Sequence, residues 1–398
     1  MEKNKLKEIL NTLSLKEKIA QTVQLNGDLF TDSGVMPTGP LKDLGLPDNF
    51  DIHQVGSIYN VNDPEKLRMI QEQAINKSSH GIPLLFMSDI IYGFRTIFPL
   101  PLAQAGSYDF DLIQKAAEIT AKESYLSGIH CVFSPMLDVV RDPRWGRVME
   151  SPGEDVYTGK EFAKSVVTGY QGQVKDYVSE NHVAACIKHF AAYGAPEAGR
   201  EYSTVDMSNQ RLFNEYLPTY QAAIEAHALL VMTAFNVLNG IPSTGNKWLN
   251  RDILREKFNL SGLLVSDHSA TEELQAHGFT ANQEESAKAS IEAGVDFDMM
   301  TSVYVNGLEP LILSGKVDEA LLDEAVWRIL KLKNKLGLFE NPFRGLDQEN
   351  TGEFLTAEAK ETAVELVEKS CVLLKNKENA LPLSAQQKIA VIGPYGKS

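Results

Sequence analysis

Ala184–Phe190 (AACIKHF), Ala228–Phe235 (ALLVMTAF) and Gly262–Asp267 (GLLVSD) decide the fold. Each is a short apolar run with the length of a buried strand, and each leads into polar or ionisable side chains. Longer amphipathic segments separate such runs, as at Gln210–Ala226. The same alternation extends outward in both directions. On the N-terminal side, strand runs at Thr22–Leu25, Gly56–Val61, Leu84–Asp89 and His130–Asp138 alternate with helical patterns at Pro64–Ile75, Phe110–Leu126 and Gly159–Gln171. On the C-terminal side follow a helix at Glu284–Ala293, a weaker strand at Asp296–Met300, and helices at Asn306–Ser314 and Asp318–Leu336. Alternating strands and helices call for a parallel sheet with crossover helices. Eight units close a barrel, whereas five or six suit an open doubly wound sheet. The count favours the α/β class with a (β/α)8 barrel of the TIM type over residues 1–340.

Beyond Phe339 the texture changes. Glu340–Glu353 is rich in Asn, Pro, Gly and acids and reads as a linker, and Thr356–Lys369 reads as a helix. Cys371–Leu374, Leu381–Leu383 and Ile389–Ile392 read as short strand pieces. The expected division is a barrel over 1–340, a linker with a helix over 341–387, and the opening strand of a truncated α/β sandwich domain over 388–398.

Composition removes several classes. The 398 residues are 43% apolar and 23% charged, ordinary for a globular chain and unlike a disordered or collagenous one. No window approaches the roughly 18 apolar residues of a membrane span. A net charge of −15 disfavours nucleic-acid binding. Cys131, Cys186 and Cys371 are odd in number and far apart, so neither a disulfide framework nor a zinc-ligand spacing follows. No Gly-rich dinucleotide fingerprint follows the first strand and no HExxH pair occurs among the eight histidines, so no cofactor and no metal are expected. Met1–Leu10 is charged throughout and lacks a signal-peptide core, which makes cytoplasm the expected address.

Active sites of β/α barrels form where the strands run out. Here the strand ends carry Asn60, Asp89, Asp138, Lys188, His189, Asn236, Asp267 and His268, with Arg141, Arg144 and Arg147 in the loop after Asp138. Core packing does not call for so many ionisable groups, because buried charge is costly unless paired. A ring of structural ion pairs is the plain alternative. As a set, the groups suit a hydroxyl-rich ligand: each sugar hydroxyl can donate to a carboxylate and accept from Lys, Arg or His. A carboxylate there can also attack an anomeric carbon. Two other readings stay open, a non-catalytic sugar-binding barrel module and a lyase using Lys188 as a Schiff base. Ser134, Ser266 and Ser269 lack the glycines of a nucleophile elbow.

The chain resembles the N-terminal part of the multidomain β-glucosidases of glycoside hydrolase family 3. The resemblance rests on an ordered series: Leu13–Gln21 (LSLKEKIAQ), Met87–Gly93 (MSDIIYG), Arg141–Arg147 (RDPRWGR), Glu150–Asp155 (ESPGED), Lys188–Phe190 (KHF), Asn236–Gly240 (NVLNG), Gly262–His268 (GLLVSDH), Leu373–Asn376 (LLKN) and Lys388–Pro394 (KIAVIGP). It implies a retaining, exo-acting enzyme that removes terminal non-reducing β-D-glucosyl residues from a small β-glucoside or oligosaccharide, with neither nucleic acid nor membrane as partner and an oligomeric state left open. Asp267 matches the catalytic nucleophile that forms the glycosyl-enzyme. Asp89, Arg147, Lys188 and His189 match the substrate-binding residues around the terminal sugar. Glu150 reads as a structural brace for the Arg-rich loop.

Three departures stand out. Phe235 occupies a position where many members have a tyrosine near the nucleophile, so another group must orient Asp267. His268 occupies the place of a tryptophan that walls the leaving sugar. The loop from Ala191 to Asp206 holds no histidine, which separates the chain from the single-domain N-acetylglucosaminidase branch and its His–Asp acid/base. Retaining hydrolysis needs a second carboxyl as general acid/base. In multidomain members that glutamate belongs to the sandwich domain, so it is expected beyond Ser398. Glu201 is the nearby substitute within the chain.

Overall fold

The computed structural model describes residues 1–30, 44–173, 177–346 and 353–393. Its centre is a ring of eight parallel strands. In chain order the strands are β1 (Val23–Asn26), β2 (Ser57–Tyr59), β3 (Leu85–Ser88), β4 (Cys131–Val132), β5 (Ala184–Phe190), β6 (Leu230–Thr233), the hairpin pair β7 (Val237–Leu238) and β8 (Ile241–Pro242), β9 (Leu263–Val265) and β10 (Asp298–Met299). The ladder runs β10-β1-β2-β3-β4-β5-β6-β9, with β7 and β8 standing apart as an antiparallel pair. A parallel bridge between Val265 and Phe297 joins the two ends of the ladder. The Asp296 and Ser266 amides donate across the same seam to the Leu264 and Phe297 carbonyls, at 2.7 and 2.9 Å. The fold is therefore a (β/α)8 barrel, as the strand count required.

Side-chain direction follows the pleat, which sends alternate residues to opposite faces. Leu85, Met87, Cys131, Ala184, Cys186, Leu230, Met232, Leu263 and Val265 fill the barrel interior with Phe297 and Met299. Phe86, Val132, Ala185, Ile187, Val231 and Leu264 belong to the cluster packed beneath the surrounding helices. Continuing the inner series by two residues places Asp89 after Met87, Lys188 after Cys186 and Asp267 after Val265. One period thus delivers three of the expected site residues to the inner face at the strand ends.

Local signals explain the helices. Asp63 caps Pro64–Lys77 by accepting from the Glu65 and Lys66 amides, and Pro64 sits in the first turn, where its missing N–H costs nothing. Ser14 and Glu17 form a capping box on Leu15–Gln21. The expected helix at Gln210–Ala226 is instead three pieces, Asn209–Arg211, a π turn at Leu212–Tyr216 and Pro218–Glu225. Pro218 is the cause, since it lacks a donor and strains the residue before it. The expected strand His130–Asp138 shortens to Cys131–Val132, with an isolated bridge from Met136 to Lys188. Pro135 has no amide to give to a ladder.

The C-terminal segment departs further from expectation. Residues 341–346 are docked rather than free: Arg344 stacks on Tyr125 at 4.9 Å and donates to the Leu336, Ser179 and His182 carbonyls. The rest of the expected linker, 347–352, lies outside the described residues. Helix Ala357–Ser370 buries Ala359, Thr362 and Leu366. No strand occurs at 371–374, 381–383 or 389–392, and Leu374 and Ile392 are 90% and 93% exposed. A strand exists only against a partner, and the described residues offer these three runs none. Residues 394–398 lie outside the described residues.

Candidate active site

Asp267 stands two residues past β9 with its side chain 11% exposed. Oδ1 accepts from the His268 amide at 2.7 Å. Oδ2 has no hydrogen-bond partner among the described residues and lies 3.5 Å from His189 Nε2. That answers the question raised by Phe235: the backbone of the next residue fixes one carboxylate oxygen, and the other is left without a hydrogen bond beside His189. Burial pushes the Asp267 carboxyl up to about 7, against the pull of Lys188, the His268 amide and Arg147.

His189 is fully enclosed. Its Nδ1 lies 2.9 Å from Asp138 Oδ2, and its backbone amide donates to the same oxygen at 3.0 Å. The Tyr220 hydroxyl lies 2.9 Å from Asp138 Oδ1 and 2.5 Å from the His189 carbonyl. Burial, reinforced by the Arg147 and Lys188 charges, holds the imidazole well below its ordinary pKa. A neutral ring that gives its Nδ1 proton to Asp138 presents Nε2 to the pocket as an acceptor. Burial also pushes the Asp138 carboxyl up to about 7. Asp138 acts through His189 rather than facing the pocket, which its place at a strand end did not reveal.

Lys188 and Asp89 form an ion pair at 3.0 Å, with the lysine buried and the carboxylate half exposed. Arg147 is held by Glu150 through Nε and Nη2 at 2.7 and 2.9 Å. Burial opposes its charge, but the Glu150 hydrogen bonds and charge outweigh that and keep the guanidinium protonated. Glu150 is thus engaged in bracing Arg147. The structure brings Asp89, Arg147, Lys188, His189 and Asp267 to one barrel mouth. Arg141 and Arg144 turn away, the first to Glu215 at 3.4 Å and the second to Asp142 at 2.7 Å.

Several residues near this mouth were not singled out from sequence. Burial and the charges of Asp89, Asp267 and Asp28 push the buried Tyr59 phenol up. Burial and the Asp267 charge push Glu273 up to about 7, and its carboxyl has no hydrogen-bond partner among the described residues. Its position six residues after Asp267, at the start of helix Glu273–Ala276, was the available signal. Tyr193 donates its hydroxyl to Glu201, the substitute acid. Among the described residues no three His, Cys, Asp or Glu side chains converge as metal ligands.

Buried carboxylates, one opposed lysine, a braced arginine and a neutral imidazole converge at the open end of a β/α barrel, a set that suits a hydroxyl-rich ligand. Residues 14–332 match the model of the glycosyl hydrolase family 3 N-terminal domain, and the chain belongs to that family. It is 38% identical over 395 residues to a periplasmic β-glucosidase of Salmonella typhimurium, covering 98% of this chain and 50% of that protein. It is 36% identical over 351 residues to a β-xylosidase of Formosa agariphila, covering 83% of this chain and 48% of that one. A β-glucosidase from Listeria innocua, solved as a mutant in complex with laminaribiose, superposes with a TM-score of 0.93 at 48% identity, covering 96% of this chain and 54% of its own. The chain spans about half the length of these relatives. The Salmonella relative also overturns the expected cytoplasmic address, since that protein is periplasmic. A charged first helix describes its own residues and is no address. No helix among the described residues is long and apolar enough to cross a membrane.

Proposed function

We propose that the chain is the nucleophile-bearing and sugar-binding part of a retaining, exo-acting β-glucosidase that hydrolyses terminal non-reducing β-D-glucosyl residues. The observation that carries this reading is the Asp267 carboxylate, anchored at Oδ1 and unpartnered at Oδ2. In the reaction, Oδ2 bonds to the anomeric carbon as the bond to the leaving oxygen breaks. That oxygen keeps the electron pair and takes a proton from a general acid. Water then attacks the same carbon, gives up a proton and releases the aspartate. Asp89 and Lys188 serve the outer hydroxyls of one terminal sugar, with Arg147 donating and His189 Nε2 accepting. The Listeria innocua enzyme with its bound laminaribiose supports a β-glucoside over other hydroxyl-rich ligands.

We infer a proton donor outside residues 1–398. Asp138 is spent on His189, Glu150 on Arg147, Asp89 on Lys188 and Glu201 on Tyr193. Glu273 favours a second reading, in which the barrel has its own acid, because its carboxyl is free of partners among the described residues and pushed up to about 7. A division into a barrel over 1–340, a linker with a helix over 341–387 and a second domain opening at 388–398 belongs to the proposal. Its support is the exposed apolar row over 371–392.

The experiment is labelling with a 2-fluoro β-glucoside followed by peptide mass spectrometry. The expected result is one adduct on Asp267, lost in Asp267→Ala. An adduct on any other residue refutes the assignment. Glu273→Gln separates the two readings of the acid. If the donor lies outside, the variant keeps the wild-type ratio of disaccharide to activated aryl glucoside turnover within about threefold. If Glu273 is the acid, the ratio falls by about 10²-fold or more.

A further inference from the structure

One side chain packed against the site comes from neither a strand end nor a sequence motif. Tyr193 lies three residues past β5 and is 1% exposed. Its ring meets His189 edge-on at 5.1 Å and Trp145 at 5.2 Å, with Phe235 tilted against it at 5.8 Å. The guanidinium carbon of Arg147 lies 5.8 Å from the centre of the same ring, within cation–π range. The hydroxyl donates to the Glu201 carboxylate. Burial, then the Glu201 hydrogen bond, push this phenol up, so it remains a donor at neutral pH.

One side chain therefore touches both Arg147 and His189. Glu150 fixes one edge of the guanidinium through Nε and Nη2, and Tyr193 fixes its face. Asp138 fixes one edge of the imidazole, and Tyr193 meets the ring from another side. Without Tyr193 the guanidinium keeps its Glu150 edge and the imidazole its Asp138 edge, but each loses the ring that packs against it. Glu201 comes from the far end of the same loop and pins the ring that does the holding.

We propose that Tyr193 is a positioning residue: tethered by Glu201, its ring aims Arg147 and His189 at the hydroxyls of the terminal sugar. The proposal rests on the glucoside reading above. It also gives Glu201 a role other than proton donation, in which a neutral acceptor serves as well as a carboxylate.

The test is the binding of glucose and its four monodeoxy analogues to the full chain, titrated by NMR for the wild type, Tyr193→Phe, Glu201→Ala, Glu201→Gln and the double variant Tyr193→Phe/Glu201→Ala. In the wild type, deleting a hydroxyl held by Arg147 or His189 weakens binding about tenfold. That penalty shrinks below about threefold in Tyr193→Phe and in Glu201→Ala, while the penalties at the hydroxyls served by Asp89 and Lys188 persist. The double variant is no weaker than the weaker single variant, because both break one contact. Glu201→Gln stays within about threefold of the wild type, since its amide oxygen still accepts from the phenol. Unchanged penalties at every hydroxyl, an equal loss for all five sugars, additive single effects, or a Glu201→Gln as weak as Glu201→Ala would each overturn the positioning role. A wild-type chain that binds none of the sugars overturns the glucoside reading and this proposal with it.

Discussion

At the residue scale, the site is a problem of protons. Asp138 and Asp267 flank one imidazole, and burial pushes both carboxyls up to about 7. Groups this close titrate as a set, so the apparent values belong to the trio. With Asp267 as the proposed nucleophile, the reacting form needs that carboxyl ionised. Labelling by a 2-fluoro glucoside should therefore accelerate as pH rises through about 7, measured as the inactivation rate between pH 5 and 9. A rate that levels off by pH 5 would show that Asp267 ionises in the ordinary range. Stability should run the other way. A carboxyl whose folded pKa exceeds its unfolded value near 3.9 stabilises the fold below that value and loses the contribution as pH rises to about 7. Asp267→Asn removes the loss, so its gain in melting temperature over the wild type should grow from pH 4 to pH 8. Sequence located Asp89, Lys188, His189 and Asp267 because a pleated strand ending in an ionisable residue is a local signal. Glu201 was nominated only as a substitute acid, and Tyr193 and Glu273 were missed, since their positions depend on how loops fold back over the mouth.

At the element scale, each strand must enter the ring close to its neighbour. Gly56 precedes β2, and a Cβ there would lie 1.9 Å from the Gln21 carbonyl oxygen and 2.7 Å from the Phe297 ring. Backbone cannot yield at the foot of a barrel without moving a strand. Gly56→Ala should cost about 3 kcal/mol, the upper end of ordinary overpacking, read from the urea midpoint. A loss under about 1 kcal/mol would mean that β1 and β2 can part there. The elements themselves were legible wherever one apolar run meant one strand, as with β5, whose expected and observed limits coincide. Reading failed where a proline cut an otherwise convincing run, at Pro135 and Pro218. It also passed over helix Lys3–Thr12, which buries only Leu6 and so looked merely charged.

At the scale of the whole molecule, the proposed function divides the reaction: the barrel would hold the sugar and the proposed donor would belong elsewhere. Leaving groups of different acidity should expose that division. The chain should turn over an activated aryl β-glucoside, which departs without protonation, about 10²- to 10⁴-fold faster relative to a disaccharide than a β-glucosidase with its acid in place. Azide should raise the aryl rate, since an anionic nucleophile needs no general base to attack the glycosyl-enzyme. Equal turnover of both substrates, with no azide effect, would sink the external donor. The barrel and its family were legible in the ordered motifs, whereas composition and charge were silent on them.

The ring of strands is not equally joined all round. β9 meets β6 through three paired residues but reaches the other end of the ladder through a single bridge at Val265 and Phe297. Asp267 follows that bridge by two residues. The Asp267 carboxylate is thus sewn in beside the last stitch of the cylinder. On the glucoside reading, a sugar seated against it would take contacts from the ends of β3, β5 and β9 at once, and its occupancy would act as a drawstring on the closure. Barrel integrity and sugar affinity would then be two readings of one equilibrium, each strengthening as the other does.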